Sequence, residues 1–174
     1  MKRLIVSVLL ILLIVSLCAC GSETDTNQEP LVFYYPWADL EAAMKQDPHC
    51  TAIGYEEREI SGNRDSLRYV LTLYFRGPMD SDLASPFPSS TSALDTEMEN
   101  ATLTITLSSS FAQLQDMDLT LACTCLARTC FGITDAESVV IRTHSTETAP
   151  DTSITITRDK SLLEDHIPAT ESTE

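Results

Sequence analysis

Glycine is scarce in this chain, five among 174 residues. No glycine-rich phosphate-binding loop is present, so a nucleotide-binding P-loop or dinucleotide fold has no sequence support. Basic residues are also few, 11 Lys and Arg against 26 Asp and Glu, for a formal net charge of -15. A field of that sign repels nucleic acid and anionic head groups, and no basic-aromatic stripe breaks it. The chain is not predicted to bind nucleic acid. Neither G-x-S-x-G nor H-E-x-x-H occurs. His49, His144 and His166 are not spaced as metal ligands, and Cys123-x-Cys125-x4-Cys130 lacks the C-x2-C pairs of a structural zinc site. No metal and no cofactor are expected. Internal repeats are absent too.

What is present begins at the N-terminus. Lys2-Arg3 precede an almost wholly aliphatic run from Leu4 to Leu17. The run is shorter than the ~20 residues of a spanning helix, and a cationic start, apolar core and small residues lay out a secretory signal. Leu17-Cys18-Ala19-Cys20 resembles the bacterial lipobox, with leucine at minus three and a small residue before the obligatory cysteine. That resemblance implies lipidation of the Cys20 sulfur and cleavage before it. Residues 1–19 are then a lipoprotein signal peptide. The remainder would be tethered through its lipid to the outer face of the cytoplasmic membrane, the first expected partner. Acyl burial at ~0.8 kcal/mol per methylene makes more than one chain a firm anchor. From Cys20 to Pro30 the chain holds turn formers and acids with no large hydrophobe, a flexible linker that spans on the order of 17 Å.

The folded part is predicted over residues 31–167, with a polar tail over 168–174. That is large enough for one core without metal or disulfide. Leu31–Tyr35 is a β-rich run between prolines. Ala38–Gln46 suits a short helix that Asp47-Pro48 ends, and a second strand lies within Thr51–Ile60. Leu67, Val70, Leu71, Tyr74 and Phe75 share one helical face, with Asn63 or Asp65 as cap and Gly77-Pro78 as stop. Thr91–Met98 and Ala101–Leu107 form a hairpin about Glu99-Asn100. A second amphipathic helix starts at Asp116 or Asp118, carries Leu119, Ala122, Cys123, Leu126, Ala127 and Cys130, and ends at Gly132. Ser138–Thr143 is a strand, and Ile154 and Ile156 suggest one more after a turn near Pro150. The pattern predicts an α+β fold: a small, mostly antiparallel sheet with two amphipathic helices on one face.

Candidate chemistry is thin. Cys123 and Cys130 lie two turns apart on a helix, ~10 Å by the helical rise, too far for a disulfide. Cys50 could meet one of Cys123, Cys125 and Cys130, or all four serve as small core hydrophobes. Ser108-Ser109-Ser110 has no placed base and suits a cap or turn. The clusters Glu56-Glu57-Glu59 and Glu97-Glu99 are expected to be solvated strand-end acids. Phe33, Tyr34, Tyr35 and Trp37 crowd the first strand, and alternation sends some outward. Tyr35 and Trp37 are therefore candidate interface anchors, unless the Pro86–Pro88 loop covers them. Val139 and Ile141 mark the Ser138–Thr143 strand as a candidate pairing edge.

Several pieces occur in a family order: Val32–Pro36, Glu57–Ile60, Tyr74–Pro78, Leu83–Thr91, Leu103–Ser108, Leu126–Thr129, Phe131–Ile133 and Val139–Ile141. The series, over residues 31 to 143, resembles the GerMN domain of sporulation and spore-germination lipoproteins. Ser90 stands where that family usually has glycine, and one copy is present where some members have two. The resemblance implies a small α/β module akin to ring-building domains of envelope assemblies, without catalytic residues. The expected function is a non-enzymatic interaction or assembly module whose partners are envelope proteins or further copies of itself. The alternative is a small ligand-binding surface lipoprotein.

Overall fold

The computed structural model describes residues 29–144 and 153–161. The leader, Cys20, most of the linker, the turn near Pro150 and the polar tail lie outside the described residues. Strand β1 (Leu31–Pro36) leads to helix α1 (Leu40–Gln46), strand β2 (Ile53–Arg58) and helix α2 (Leu67–Tyr74). Strands β3 (Ala93–Glu99) and β4 (Thr102–Leu107) follow, then a 3-10 turn at Ser109–Gln113 and the long helix α3 (Asp116–Ile133). Strands β5 (Ser138–Thr143) and β6 (Ser153–Thr157) and a last turn of helix, α4 (Arg158–Ser161), complete the described part. This is an α+β fold, as the sequence pattern implies.

The strands divide into two sheets rather than one. β1 pairs antiparallel with β2 alone, from Leu31 opposite Arg58 to Pro36 opposite Ile53. The backbone N–H of Tyr34 is instead donated to the Thr129 hydroxyl of α3 at 3.0 Å. A helix side chain thus meets a strand N–H where a further strand would otherwise pair. The second sheet has the order β3-β4-β5-β6. β3 and β4 form the expected hairpin, with a bulge between Ala93 and Asp95. β4 and β5 are parallel, Thr102 opposite Ser138 through Leu107 opposite Thr143. A parallel neighbour requires a crossover, and α3 supplies it. β6 returns antiparallel to β5.

Local chemistry explains the element ends. Asp39 caps α1 by accepting from the Ala42 N–H at 2.9 Å. Ser66, not Asn63 or Asp65, caps α2, with its side chain accepting from Tyr69. Gly77 adopts φ +91 just beyond it, a conformation that suits glycine after a helix. α3 runs through Gly132 to Ile133. Inside the fold, β4 turns Leu103, Ile105 and Leu107 inward, and β5 turns Val139 and Ile141 inward. They meet Phe33, Tyr35, Val70, Leu71, Tyr74, Phe111 and Leu126 in one core. Each such large side chain contributes about 1.5–3 kcal/mol on burial. α3 buries Ala122, Cys123, Cys125, Leu126, Ala127, Thr129, Cys130 and Phe131. That arc is wider than one stripe because the helix packs against β1 as well as β5 and β6.

Candidate functional site: the Trp37 pocket

Past Pro36 the chain leaves the sheet but stays pinned. Trp37 forms an isolated antiparallel bridge with Leu83. The Ala38 N–H donates to the Asp82 carbonyl at 2.8 Å, and the Ala84 N–H donates to the Pro36 carbonyl at 2.9 Å. Gly54, on β2, lies beneath. A Cβ there would come 2.7 Å from the Leu83 side chain and 2.9 Å from the Trp37 ring. Only glycine lets those two side chains lie so close to the strand.

Helix α1 then rises beside Trp37 with none of its residues buried. Between α1, the Asp47–Cys50 turn and the Ser81-Asp82 loop lies a pocket of about 280 Å³. Trp37, Ala42, Ala43 and the half-buried Cys50 line it, together with the exposed Asp39, Asp47 and Asp82. One Asp39 oxygen is held by the Ala42 N–H, and one Asp47 oxygen by the His49 N–H at 3.0 Å. The Trp37 Nε1 is buried and has no acceptor among the described residues. A second groove, lined by Pro86, Phe87 and Leu121 among others, meets Trp37 from another side.

A polar network holds the loop after α2 in register. Arg58 and Glu56 pair through a charged contact and are nearly buried, with side chains about 10% and 9% exposed. Arg58 also donates to the Gly77 carbonyl at 2.7 Å, the Leu73 carbonyl at 3.2 Å and the Tyr35 hydroxyl at 3.2 Å. Its guanidinium lies 4.8 Å from the Phe33 ring centroid. Glu56 accepts from the N–H groups of Met79 and Asp80 at 3.0 and 2.8 Å. The pair therefore ties β2 to the end of α2 and to the loop that carries Asp82. Glu56 is thus no solvated strand-end acid. Glu and Arg at i and i+2 on a strand share one face, and that signal was available in the sequence. At the other end of the domain Arg158 plays a matching part. It donates to the carbonyls of Phe131, Thr134 and Ala136 and closes the C-terminal end of α3.

The interface candidates on the strands belong to the core. Tyr35, Val139 and Ile141 are 0% exposed, so none anchors a partner at the surface. Tyr35 points into the first strand's buried face and donates its hydroxyl to the Tyr74 carbonyl at 2.9 Å. β5 is an inner strand with β4 on one side and β6 on the other, so it offers no open edge. Trp37 alone of the four stays at the pocket, half-buried. The Pro86–Pro88 loop packs on the aromatics of α2 and its C-terminal end rather than on those of the first strand. Its Phe87 meets Phe75 at 5.0 Å and Tyr74 at 5.7 Å between ring centroids.

None of Cys50, Cys123, Cys125 and Cys130 is in a disulfide. The last three are buried, including Cys125, which the helical stripe had left out. Burial pushes the Cys123 thiol up to about 12 and raises Cys130 further. The buried Tyr35 and Tyr74 hydroxyls are raised above their ordinary range, first of all by desolvation. All four groups stay protonated and unreactive at neutral pH. Ser108 is a joint, as its position suggested: its hydroxyl accepts from the Ser92 N–H and donates to the Ser90 carbonyl. No group of His, Cys, Asp and Glu suited to a metal ion occurs among the described residues. No helix among them is long and apolar enough to cross a membrane.

Fold and site together define a small α+β domain with a surface pocket beside the end of its first strand. No protein-family model matches the sequence, and no curated protein does. Among solved structures, the tandem GerMN domains of the sporulation protein GerM from Bacillus subtilis are similar at a TM-score of 0.48 and 15% identity. The likeness covers 76% of this chain and 44% of that one, so this chain spans less than half the length of that structure.

Proposed function

We propose that this protein is a lipid-anchored, extracytoplasmic interaction or assembly module of the cell envelope, without enzymatic activity of its own. The observation that carries the proposal is Leu17-Cys18-Ala19-Cys20 placed after a signal-like apolar run and ten residues before a folded domain. A lipid on Cys20 and a linker spanning on the order of 17 Å keep the domain close to its membrane. The groups whose protonation departs most from the ordinary are core tyrosines and cysteines shifted by burial, a pattern of packing rather than of acid–base work. The setting in sporulation or spore germination rests on the residue-level resemblance of positions 31–143 to the GerMN domain. Envelope proteins or further copies of the chain are the proposed partners.

Metabolic labelling with palmitate in the native host tests the anchor, and crosslinking tests the role. Wild-type protein is expected to take up label and fractionate with membrane, and Cys20→Ser to do neither. Photoreactive residues at Trp37 and at Tyr55, which is 60% exposed, are expected to capture one envelope protein or the chain itself. An unlabelled, unanchored wild-type protein would overturn the tether. Folded, anchored protein that captures nothing at either position would overturn the assembly role. The alternative, a ligand-binding lipoprotein, is favoured by one observation, the mostly apolar pocket beside Trp37.

A further inference from the structure

We infer that Met44, Met79, Met98 and Met117 are sites of oxidative modification: surface thioethers that a hypohalous acid converts to methionine sulfoxide while the fold and its buried thiols stay intact. Together they form a sacrificial sink for that class of oxidant. The inference stands on where the sulfur atoms lie and does not depend on the lipid anchor or on the assembly role.

Methionine is ordinarily among the most buried residues. Met44, Met79, Met98 and Met117 are instead 48%, 82%, 48% and 68% exposed, and no methionine is buried among the described residues. Leu, Ile, Val, Ala, aromatics and cysteine fill the core. Of the seven large hydrophobics exposed among the described residues, four are methionines, so the outward apolar surface is largely thioether. The four sit on separate pieces of the fold. Met44 is on α1, which has no buried residue. Met79 is in the loop after α2, its N–H held by Glu56 at 3.0 Å. Met98 is on the edge strand β3 and Met117 is in the first turn of α3. Sulfoxide formation disrupts a protein where the side chain is packed in a core or an interface. These side chains are open to water before any unfolding, so an added oxygen leaves the packing as it was.

The thiols are arranged the other way. Cys123, Cys125 and Cys130 are 2%, 0% and 0% exposed, and thiol oxidation follows exposure and thiolate character. Burial denies all three the first and, by raising Cys123 and Cys130, denies those two the second. A thioether has no proton to lose, so access alone governs its reaction. The step needs only the oxidant and water. The methionine sulfur donates a lone pair to the chlorine of hypochlorous acid, the O–Cl bond breaks and hydroxide leaves. A water oxygen then displaces chloride from the chlorosulfonium and releases two protons, one of which neutralises the hydroxide. Sulfur is oxidised by two electrons and chlorine is reduced to chloride. Methionine sulfoxide reductases are the class of enzyme that reverses the change.

The full-length protein, in detergent, would be treated with rising doses of hypochlorous acid, quenched and mapped by peptide mass spectrometry. The expected result is one added oxygen at each of Met44, Met79, Met98 and Met117, with Met79 among the first. Cys123, Cys125 and Cys130 should still be open to alkylation once the treated protein is unfolded. The thermal midpoint should move by no more than about 2 °C, the scale of a surface change in a domain of this size. Protection of any of the four in folded protein relative to urea-unfolded protein would overturn the sites. So would loss of the buried thiols at the same dose, or a larger fall in midpoint. Trp37, half-buried and the chain's single tryptophan, reads the sink. A variant carrying Met44→Leu, Met79→Leu, Met98→Leu and Met117→Leu conserves volume, and its thermal midpoint would show that it folds. Trp37 emission is expected to survive in wild type at doses that destroy it in the variant. Equal loss in both would overturn the sink, and the mapping of wild type decides the sites whatever the variant does.

Discussion

At the scale of single residues, the clearest dependence is on Arg58. Its guanidinium and the Glu56 carboxylate are both nearly buried, and between them they satisfy backbone groups on α2 and on the loop that follows it. Removing one partner of a buried pair leaves the other charge uncompensated, which costs about 3–5 kcal/mol. Arg58→Met keeps the apolar stem against Phe33 but strands Glu56. The variant is expected to lose stability on that scale, read as a lower urea midpoint with an unchanged slope. A loss below about 1 kcal/mol would mean that water already screens the pair. The same residues show what single positions revealed in advance. The sequence showed Glu56, Glu57 and Glu59 as a charge cluster but not which one turns inward. That choice depends on the β1–β2 register, which sets Phe33 opposite Glu56 and Leu31 opposite Arg58. Likewise, alternation divided the first strand into two faces without saying which was covered. Leu31, Phe33 and Tyr35 went in, and Val32 and Tyr34 stayed half-buried. An aromatic with a hydroxyl suits either face, and the Tyr74 carbonyl across the core decided for Tyr35.

At the scale of elements, periodicity located every described strand and the two longest helices, α2 and α3, because each carries its own amphipathic signal. The pairing of those elements was less legible. Whether β5 lies parallel or antiparallel to β4 depends on where α3 delivers the chain, which no local pattern records. The β3–β4 hairpin was legible down to its turn, and the turn carries a testable strain. Asn100 and Ala101 both have positive φ, 47 and 61. The favoured two-residue hairpin turn requires positive φ at both positions, with glycine preferred at the second. An alanine there costs about 1 kcal/mol relative to glycine. Ala101→Gly is therefore expected to stabilise the domain by about 0.5–1 kcal/mol, despite the greater freedom glycine brings to the unfolded chain. The check is a rise in thermal midpoint, with Ala112→Gly on the 3-10 turn expected to do the reverse. A fall for Ala101→Gly would show that unfolded-state entropy outweighs the strain. Helix α1 marks the opposite extreme. It has seven residues, a side-chain cap and no buried residue, and Leu40 and Met44 stay 38% and 48% exposed. Its sequence signal was correspondingly faint, and the pocket it walls was not foreseen.

At the scale of the whole molecule, the governing quantity is charge. With a formal net charge of -15, the folded chain holds many carboxylates close together, and unfolding lets them separate. Self-repulsion of this kind destabilises a compact state. Among the described residues, the pairs that offset it include the nearly buried Arg58–Glu56 contact and an exposed Lys45–Glu41 pair with side chains 72% and 83% exposed. An exposed helix pair of that type contributes only about 0.3–0.5 kcal/mol. Salt therefore has more repulsion to screen than attraction. Raising ionic strength from 0.01 M to 1 M shortens the screening length from about 30 Å to about 3 Å. The thermal midpoint is expected to rise by about 4 °C, roughly 1 kcal/mol for a domain of this size. Sodium chloride rather than sulfate should be used, since sulfate also strengthens apolar burial. A midpoint that falls with salt would mean that attraction, not repulsion, dominates the surface. The same field acts on the environment. Anionic head groups repel the domain, so a tethered copy would stand off the bilayer as far as its linker allows.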